Sequence, residues 1–106
     1  MAARSFNLTL AATPQRLSDV YGGAPGSIDA RVDIPYRQIW LQASGAAAVV
    51  GSDPTTLSTT VYGNKIDSAN TGPGLELGAY GEGPLKLSDF YALGAGSTLH
   101  ILGIPF

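Results

Sequence analysis

The chain has 106 residues, 44% of them hydrophobic and 13% charged, a composition typical of one globular domain rather than of a disordered segment. Its six basic residues are scattered and its formal net charge is −2, which argues against nucleic acid as a partner, because that partner requires a focused basic surface. There is no cysteine for a disulfide or a zinc-thiolate site, and no apolar run approaches the ~20 residues that span a bilayer. We therefore predict neither a membrane partner nor a cofactor.

The first quarter of the sequence predicts a strand followed by a short helix. Residues 5–12 alternate between apolar and polar side chains, the pattern of a half-buried strand. Thr13-Pro14 then has the form of a helix start, and apolar residues follow at helical spacing until Gly22-Gly23. We predict one or two helical turns there, followed by a long irregular connection over residues 22–33.

The stretch Ile34–Gly51 predicts the central hairpin of the fold, two strands joined by a Ser-Gly turn. One face of its first strand carries Ile39, Leu41 and Ala43, and the other carries Tyr36, Gln38, Trp40 and Gln42. Two interpretations follow. Either Trp40 faces outwards to a partner, or Trp40 lies in the core between two sheets while Ile39 and Leu41 pack under the helical turn.

The rest of the chain predicts further short strands, separated by glycine and proline turns. Strands are predicted over residues 57–62, 75–79 and 89–94 and over the C-terminal segment from residue 98, with an exposed loop at 64–74 and a hairpin turn at 94–97. The fold class that we predict is all-β. Residues 1–106 should form a single antiparallel β-sandwich or jelly-roll-like domain of seven or eight short strands with one short helical turn.

One segment of the sequence has a near copy later in the chain. RLSDVYG, beginning at Arg16, is close to KLSDFYA, beginning at Lys86. The two segments are either equivalent corners of a two-sheet fold, with leucine and tyrosine facing inwards and Ser-Asp bonding local amides, or a coincidence among common turn residues.

Residues suited to catalysis are few. His100 is the only histidine, and a Ser97–His100–Asp89 arrangement has no nucleophile elbow or other known setting around it. The acidic residues lack the spacing of a calcium loop, and the glycine-rich pieces lack the Gly-Lys-Ser/Thr of a phosphate loop. The sequence therefore predicts no catalytic residue, no metal site and no enzyme.

A binding surface is the remaining prediction. Its candidate residues are apolar or aromatic side chains of the central strand and of the two ends of the chain: Phe6, Tyr36, Trp40, Ile104 and Phe106. Tyr62 and Tyr80 are of the same type. We expect the segments Met1–Phe6 and Gly103–Phe106 to act as arms that dock on a neighbour, because Phe6 and Phe106 would be poor free ends in water.

Five motifs follow one another along the chain: LTL in the first strand, TPQRLS, IPYRQIWLQA, GPLKLSDFY, and a GAG turn before the terminal LHIL. In this order they resemble small structural proteins of tailed-bacteriophage virions, of the capsid decoration or cement type. The resemblance implies a β-sandwich or jelly roll made in the host cytoplasm and placed on the outer capsid surface of the virion. There such a protein, commonly a trimer, bridges subunits of the major capsid protein. The resemblance brings no catalytic residues with it.

The alternative interpretation is a glycan- or receptor-binding β-sandwich module of a phage tail or fibre. In this alternative Trp40 and Tyr36 would form a platform on which sugar rings stack.

Overall fold

The computed structural model of the chain describes residues 3–20, 32–67, 75–77 and 84–106. Within these residues lie a 3₁₀ turn, Leu87–Asp89, and eight strands: β1 Arg4–Thr9, β2 Gln15–Arg16, β3 Tyr36–Ser44, β4 Ala48–Gly51, β5 Asn64–Ile66, β6 Leu75–Leu77, β7 Tyr91–Leu93 and β8 Thr98–Pro105. The strands form two four-stranded antiparallel sheets, a first sheet of order β1-β8-β3-β6 and a second of order β2-β7-β4-β5. The predicted all-β sandwich is confirmed. The connection over residues 22–31, most of the predicted loop at 64–74, and Tyr80 lie outside the described residues.

The core lies between the inner faces of the two sheets. Alternation along β3 and β8 turns Ile39, Leu41, Leu99 and Ile101 inwards, and each is almost completely buried. They pack with residues of the second sheet, among them Ala48, Val50, Ile66 and Ala92. Because burying one such aliphatic side chain contributes about 1.5–3 kcal/mol, this inner layer decides which face of β3 is turned inwards. The Ile39 and Leu41 face forms the core, and Trp40 points outwards.

Tyr36 does not share the face of Trp40, and its predicted place in an interface is wrong. The register of β3 with β8 shifts between Tyr36, opposite Pro105, and Gln38, opposite Ile104. The extra residue at Arg37 is a β-bulge, which reverses the alternation for every residue before it. The Tyr36 side chain is therefore wholly buried in the core, and its hydroxyl donates a hydrogen bond of 2.7 Å to the carbonyl of Val32.

The predicted central hairpin is not a hairpin, because β3 and β4 belong to different sheets. At residues 45–47 the chain turns a corner from the first sheet to the second, with Gly45 at a φ of +87°. The segment 94–97, predicted as a hairpin turn, is likewise a corner between β7 and β8. A third corner follows β1, and backbone bonds from Leu10 to Ser97 and from Gly94 to Ala11, both 2.9 Å long, join it to the second.

The helical turn predicted from Thr13 is also wrong within the described residues. Gln15 and Arg16 pair with Ala92 and Tyr91 of β7 as strand β2, and the Leu17 amide bonds the Phe90 carbonyl. A helix of one or two turns has little stability of its own, so pairing with the second sheet prevails.

The strand predicted over residues 57–62 is a loop. Its backbone bonds locally, because the Asp53 carboxylate accepts from Thr55 and the Ser58 hydroxyl accepts from the amides of Thr60 and Val61. Such side-chain bonds compete with pairing in a sheet. Leu57 then packs on Val49 and Leu93, a small second cluster. The next strand begins only at Asn64.

The two similar segments occupy similar turns. The Asp19 amide bonds the Arg16 carbonyl at 3.0 Å, and the Asp89 amide bonds the Lys86 carbonyl at 3.1 Å. Leu17 and Leu87 are both wholly buried, as expected of equivalent corners. The predicted role of serine differs, since the buried Ser18 hydroxyl has no hydrogen-bond partner among the described residues.

Candidate binding surface on the first sheet

The outer face of the first sheet carries the largest group of predicted interface residues. We call this surface the Trp40 face; it consists of Ser5, Asn7, Gln38, Trp40, Gln42, Ser44, Glu76, His100, Leu102 and Ile104. Trp40 is half-buried and lies opposite Leu102 on one side and Glu76 on the other. A depression of about 470 Å³ extends from Trp40 across Leu102 and His100 to β1. The face therefore offers an aromatic ring in a shallow, mixed apolar and polar surface.

Cross-strand hydrogen bonds hold the polar side chains of this face in place. His100 on β8 bonds Asn7 Oδ1 on β1 through Nδ1 and Ser44 Oγ on β3 through Nε2, both at 2.8 Å. On the other side of Trp40, the Gln38 amide donates to Glu76 Oε1 of β6, also at 2.8 Å. These bonds connect all four strands of the sheet, so the face has a fixed shape before any partner binds.

The line Ser44–His100–Asn7 has the order of a hydrolase relay, although it shares only His100 with the arrangement considered from the sequence. Its third member is an amide, which cannot offset the charge of an imidazolium as an aspartate does. All three residues are exposed, so water competes for each hydrogen bond, whereas catalytic electrostatics depend on a water-excluded site. We therefore interpret the line as a clamp between strands.

An apolar stripe runs along β8 to the end of the chain. Leu102 is 38% exposed and Ile104 is half-buried, and the alternation of β8 directs both to the outer side; Phe106, 56% exposed, follows directly after the strand. The Arg37 guanidinium lies 5.7 Å from the centroid of the Phe106 ring, a cation–π distance. The bulge residue thus places a cation against the terminal aromatic ring.

Two of the five predicted interface residues, Trp40 and Ile104, lie on the Trp40 face, and Phe106 is exposed at the end of β8. Phe6 points inwards from β1 and is half-buried against the core. It also forms one border of the depression. Leu102 belongs to the stripe but was not among the predicted residues. Its signal in the sequence is an apolar residue at a position where alternation with Leu99 and Ile101 requires a polar one.

The two predicted arms are not arms in the described part of the chain. Gly103, Ile104 and Pro105 pair with β3 in the interior of the first sheet, and Arg4–Phe6 pair with β8 as part of β1. Both segments have backbone hydrogen-bond ladders that would have to break before they could reach a neighbour. Only Phe106 extends beyond the last strand.

The titratable groups with shifted pKa values lie elsewhere. Burial raises the pKa of Asp19, with attraction to Arg16 acting against it, and a hydrogen bond to the Tyr91 hydroxyl raises the pKa of Arg16. Hydrogen bonds from Thr55 lower the pKa of Asp53. Among the described residues, no group of three or more His, Asp or Glu could hold a metal ion. In the same part of the chain, no helix has the length and apolar character to cross a membrane.

Comparison of the chain with protein-family models, with curated proteins and with solved structures gives no match. The function is therefore inferred from the Trp40 face and from the resemblance of the sequence motifs.

Proposed function

We propose that this protein is a non-enzymatic structural protein of a tailed-phage virion, which decorates the outer capsid and stabilises it by binding subunits of the major capsid protein. The observation that carries the proposal is the apolar stripe of Leu102, Ile104 and Phe106 next to Trp40 on a hydrogen-bonded sheet. Aromatic and aliphatic side chains held on a rigid scaffold lose little conformational entropy when a protein partner covers them. The sequence motifs add the resemblance to decoration proteins.

A decoration protein functions through repeated modest contacts. Once a shell is assembled, each bound copy faces many equivalent sites at high effective concentration, so a small apolar patch per copy is sufficient. The Trp40 face carries uncharged polar side chains around its apolar centre, with Glu76 already bonded to Gln38. This suits a protein surface better than a polyanion. As a homo-oligomer, for which the resemblance implies a trimer, the protein would present several such faces to neighbouring subunits.

The proposal is tested by mixing the purified protein with undecorated capsids assembled from the major capsid protein of the same virion. We expect saturable binding at a fixed ratio per hexamer, measured by co-sedimentation, and a higher melting temperature of the decorated shell. The substitutions Trp40→Ala and Phe106→Ala should each weaken binding by about ten- to thirty-fold, as for central interface anchors.

Tyr62→Ala is the matched control, because Tyr62 is an aromatic residue 44% exposed on the second sheet's loop. It should leave capsid binding unchanged. Absence of saturable binding, or equal losses for Tyr62→Ala and Phe106→Ala, would contradict the proposal.

The depression beside Trp40 supports a second candidate, a glycan-binding module of a tail or fibre. An indole ring next to the side chains of Asn7, Gln42 and His100 offers a stacking surface and hydrogen-bonding groups, as sugar sites require. Trp40 is the only tryptophan, so its fluorescence reports on this depression alone. Titration with sugars that bind on a glycan array would change that fluorescence if this candidate is right, and would leave it constant if the Trp40 face binds capsid protein.

A further inference from the structure

The outer edge of β1 is the longest open edge among the described strands. In the first sheet β1 is an edge strand of six residues, paired regularly with β8 and without a bulge. The other edge strands, β2, β5 and β6, have two or three residues each. Natural sheets protect long edges with charged residues, proline or bulges; β1, with the sequence RSFNLT, has no proline and no bulge, and its one charged residue is Arg4 at the first position.

The backbone of β1 presents a regular row of donors and acceptors at this edge. The Leu10 amide bonds the Ser97 carbonyl of the neighbouring chain segment at 2.9 Å, so the alternate residues before it, Leu8 and Phe6, direct their backbone groups towards β8. Ser5, Asn7 and Thr9 consequently direct their N–H and C=O groups to the outside. At the next outward position the chain protects itself, because the Gln15 side chain accepts from the Ala11 amide at 3.1 Å. That protection lies beyond the C-terminal end of β1 and does not cover Ser5, Asn7 or Thr9.

We propose that two copies of this chain pair through β1, antiparallel about a two-fold axis at Asn7, which joins their first sheets into one continuous eight-stranded sheet. This inference goes beyond the proposed function and does not depend on it. A sheet edge is self-complementary when the register keeps inner residues opposite inner residues. With Asn7 opposite the partner's Asn7, the outer residue Ser5 lies opposite the partner's Thr9, and the inner residue Phe6 opposite the partner's Leu8.

This register gives favourable neighbours on both faces. On the inner side, Phe6 is half-buried at the border of the core, and the partner's Leu8 would extend the apolar layer past it. On the outer side the opposed residues are uncharged. The Arg4 residues of the two copies would be separated by six residue steps, roughly 20 Å, about twice the screening length in physiological salt, so they do not repel each other.

Pairing of this kind also joins the two Trp40 faces side by side on one sheet. The strand contact itself is small compared with the ~1,600 Å² of a standard interface, so we expect a dimer that forms at micromolar concentrations. A two-fold contact closes at two copies, whereas the resemblance to decoration proteins implies three. The two expectations are therefore distinguishable by mass.

The test measures the mass in solution by light scattering and sedimentation, over concentrations from about 1 µM to about 1 mM, a range that brackets such an affinity. The edge variant is Thr9→Pro, which removes an outward amide without removing a bond to β8. Its matched control is Thr9→Val, which keeps the amide and the β-branched shape. We expect wild type and Thr9→Val to approach twice the monomer mass of 10.9 kDa and Thr9→Pro to remain at that mass.

Hydrogen exchange of single amides, followed by NMR on the wild-type chain, keeps the proposal testable if Thr9→Pro fails to fold. The amides of Ser5, Asn7 and Thr9 should slow by at least ten-fold between the dilute and the concentrated sample. Those of Phe6 and Leu8, bonded to β8, should be slow in both. A monomer at all concentrations, a trimer, or a dimer in which the Asn7 amide exchanges fast would overturn the pairing. None of these results bears on whether the protein binds capsids.

Discussion

The aromatic ring of Tyr36, on β3, lies directly against the backbone of Gly103, on the neighbouring strand β8. The contact is possible because glycine has no side chain. A Cβ atom built at Gly103 would lie 2.6 Å from Cδ1 of the ring, closer than real contacts allow. The bulge at Arg37 turns Tyr36 inwards. Gly103, which lies on β8 opposite Ile39 of β3, leaves the space that the ring fills. The bulge and the glycine are therefore two parts of one arrangement.

We predict that Gly103→Ala lowers the free energy of unfolding by roughly 1–3 kcal/mol, because the ring and the new methyl group cannot both be accommodated. Urea denaturation of the purified variant measures this. The double variant with Tyr36→Leu provides the control, since a smaller side chain at residue 36 relieves the overlap. The double variant should lose less stability than the sum of the two single variants, and simple additivity would contradict the contact.

Sequence patterns predicted the class of fold because alternation reports directly on which side chains face the core. The strands β1, β3 and β8 overlap the strands predicted over residues 5–12, 36–43 and 98–106. The partners of those strands could not be predicted, since a Gly-containing turn of the same composition can close a hairpin or lead to another sheet. Gly45 and Gly94 do the latter, and their close contacts with distant backbone are visible only in three dimensions.

The same limit applies to the candidate surface. Trp40, Ile104 and Phe106 were identified from their apolar or aromatic character, but Tyr36 was placed with them by a regular alternation that the Arg37 bulge interrupts. A bulge leaves little trace in one sequence. The hydrogen bonds of His100 on the Trp40 face also could not be predicted, because Asn7 and Ser44 lie 93 and 56 residues from His100 along the chain.

The corner glycines provide a matched pair of substitutions. Gly45 and Gly96 both have positive φ, at +87° and +79°, but a Cβ at Gly45 would lie 2.5 Å from the Gly96 carbonyl oxygen, whereas a Cβ at Gly96 meets nothing closer than 3.9 Å. We predict that Gly96→Ala costs about 1–2 kcal/mol of stability from backbone strain alone. Gly45→Ala should cost roughly 2–5 kcal/mol, since overpacking is added to the strain. Thermal unfolding of the two variants checks the order, which equal losses would contradict.

Two aspartates should change stability in opposite directions with pH. Burial raises the pKa of Asp19 above the ordinary value of 3.8, so near neutral pH the charged carboxylate opposes folding, and this opposition is relieved as pH falls through the raised pKa. Hydrogen bonds from Thr55 lower the pKa of Asp53 below 3.8, so its contribution to stability is present above that value and is lost as pH falls through the lowered pKa.

We therefore predict that Asp19→Asn is more stable than wild type at neutral pH, with a difference that shrinks as the solution is acidified. Asp53→Asn should be less stable at neutral pH, and its difference should shrink only in stronger acid. Urea denaturation of the three chains across the acidic range provides the measurement. A stability difference for Asp19→Asn that stays constant down to the ordinary pKa of an aspartate would contradict the assigned cause.

Adjacent residues of β3 should separate folding from binding. Leu41 is wholly buried in the core and Trp40 is half-buried on the outer face, although both belong to one strand. We predict that Leu41→Ala lowers the free energy of unfolding by about 2–5 kcal/mol, the usual range for emptying a core position. Trp40→Ala should cost clearly less stability, because part of the indole is already in water, yet it should cause the larger loss of partner binding. Denaturation and capsid co-sedimentation of both variants, with Leu41→Ala assayed at a temperature where it is folded, compare the two effects. If Trp40→Ala were the more destabilising and the less harmful to binding, the outward assignment of the Trp40 face would be wrong.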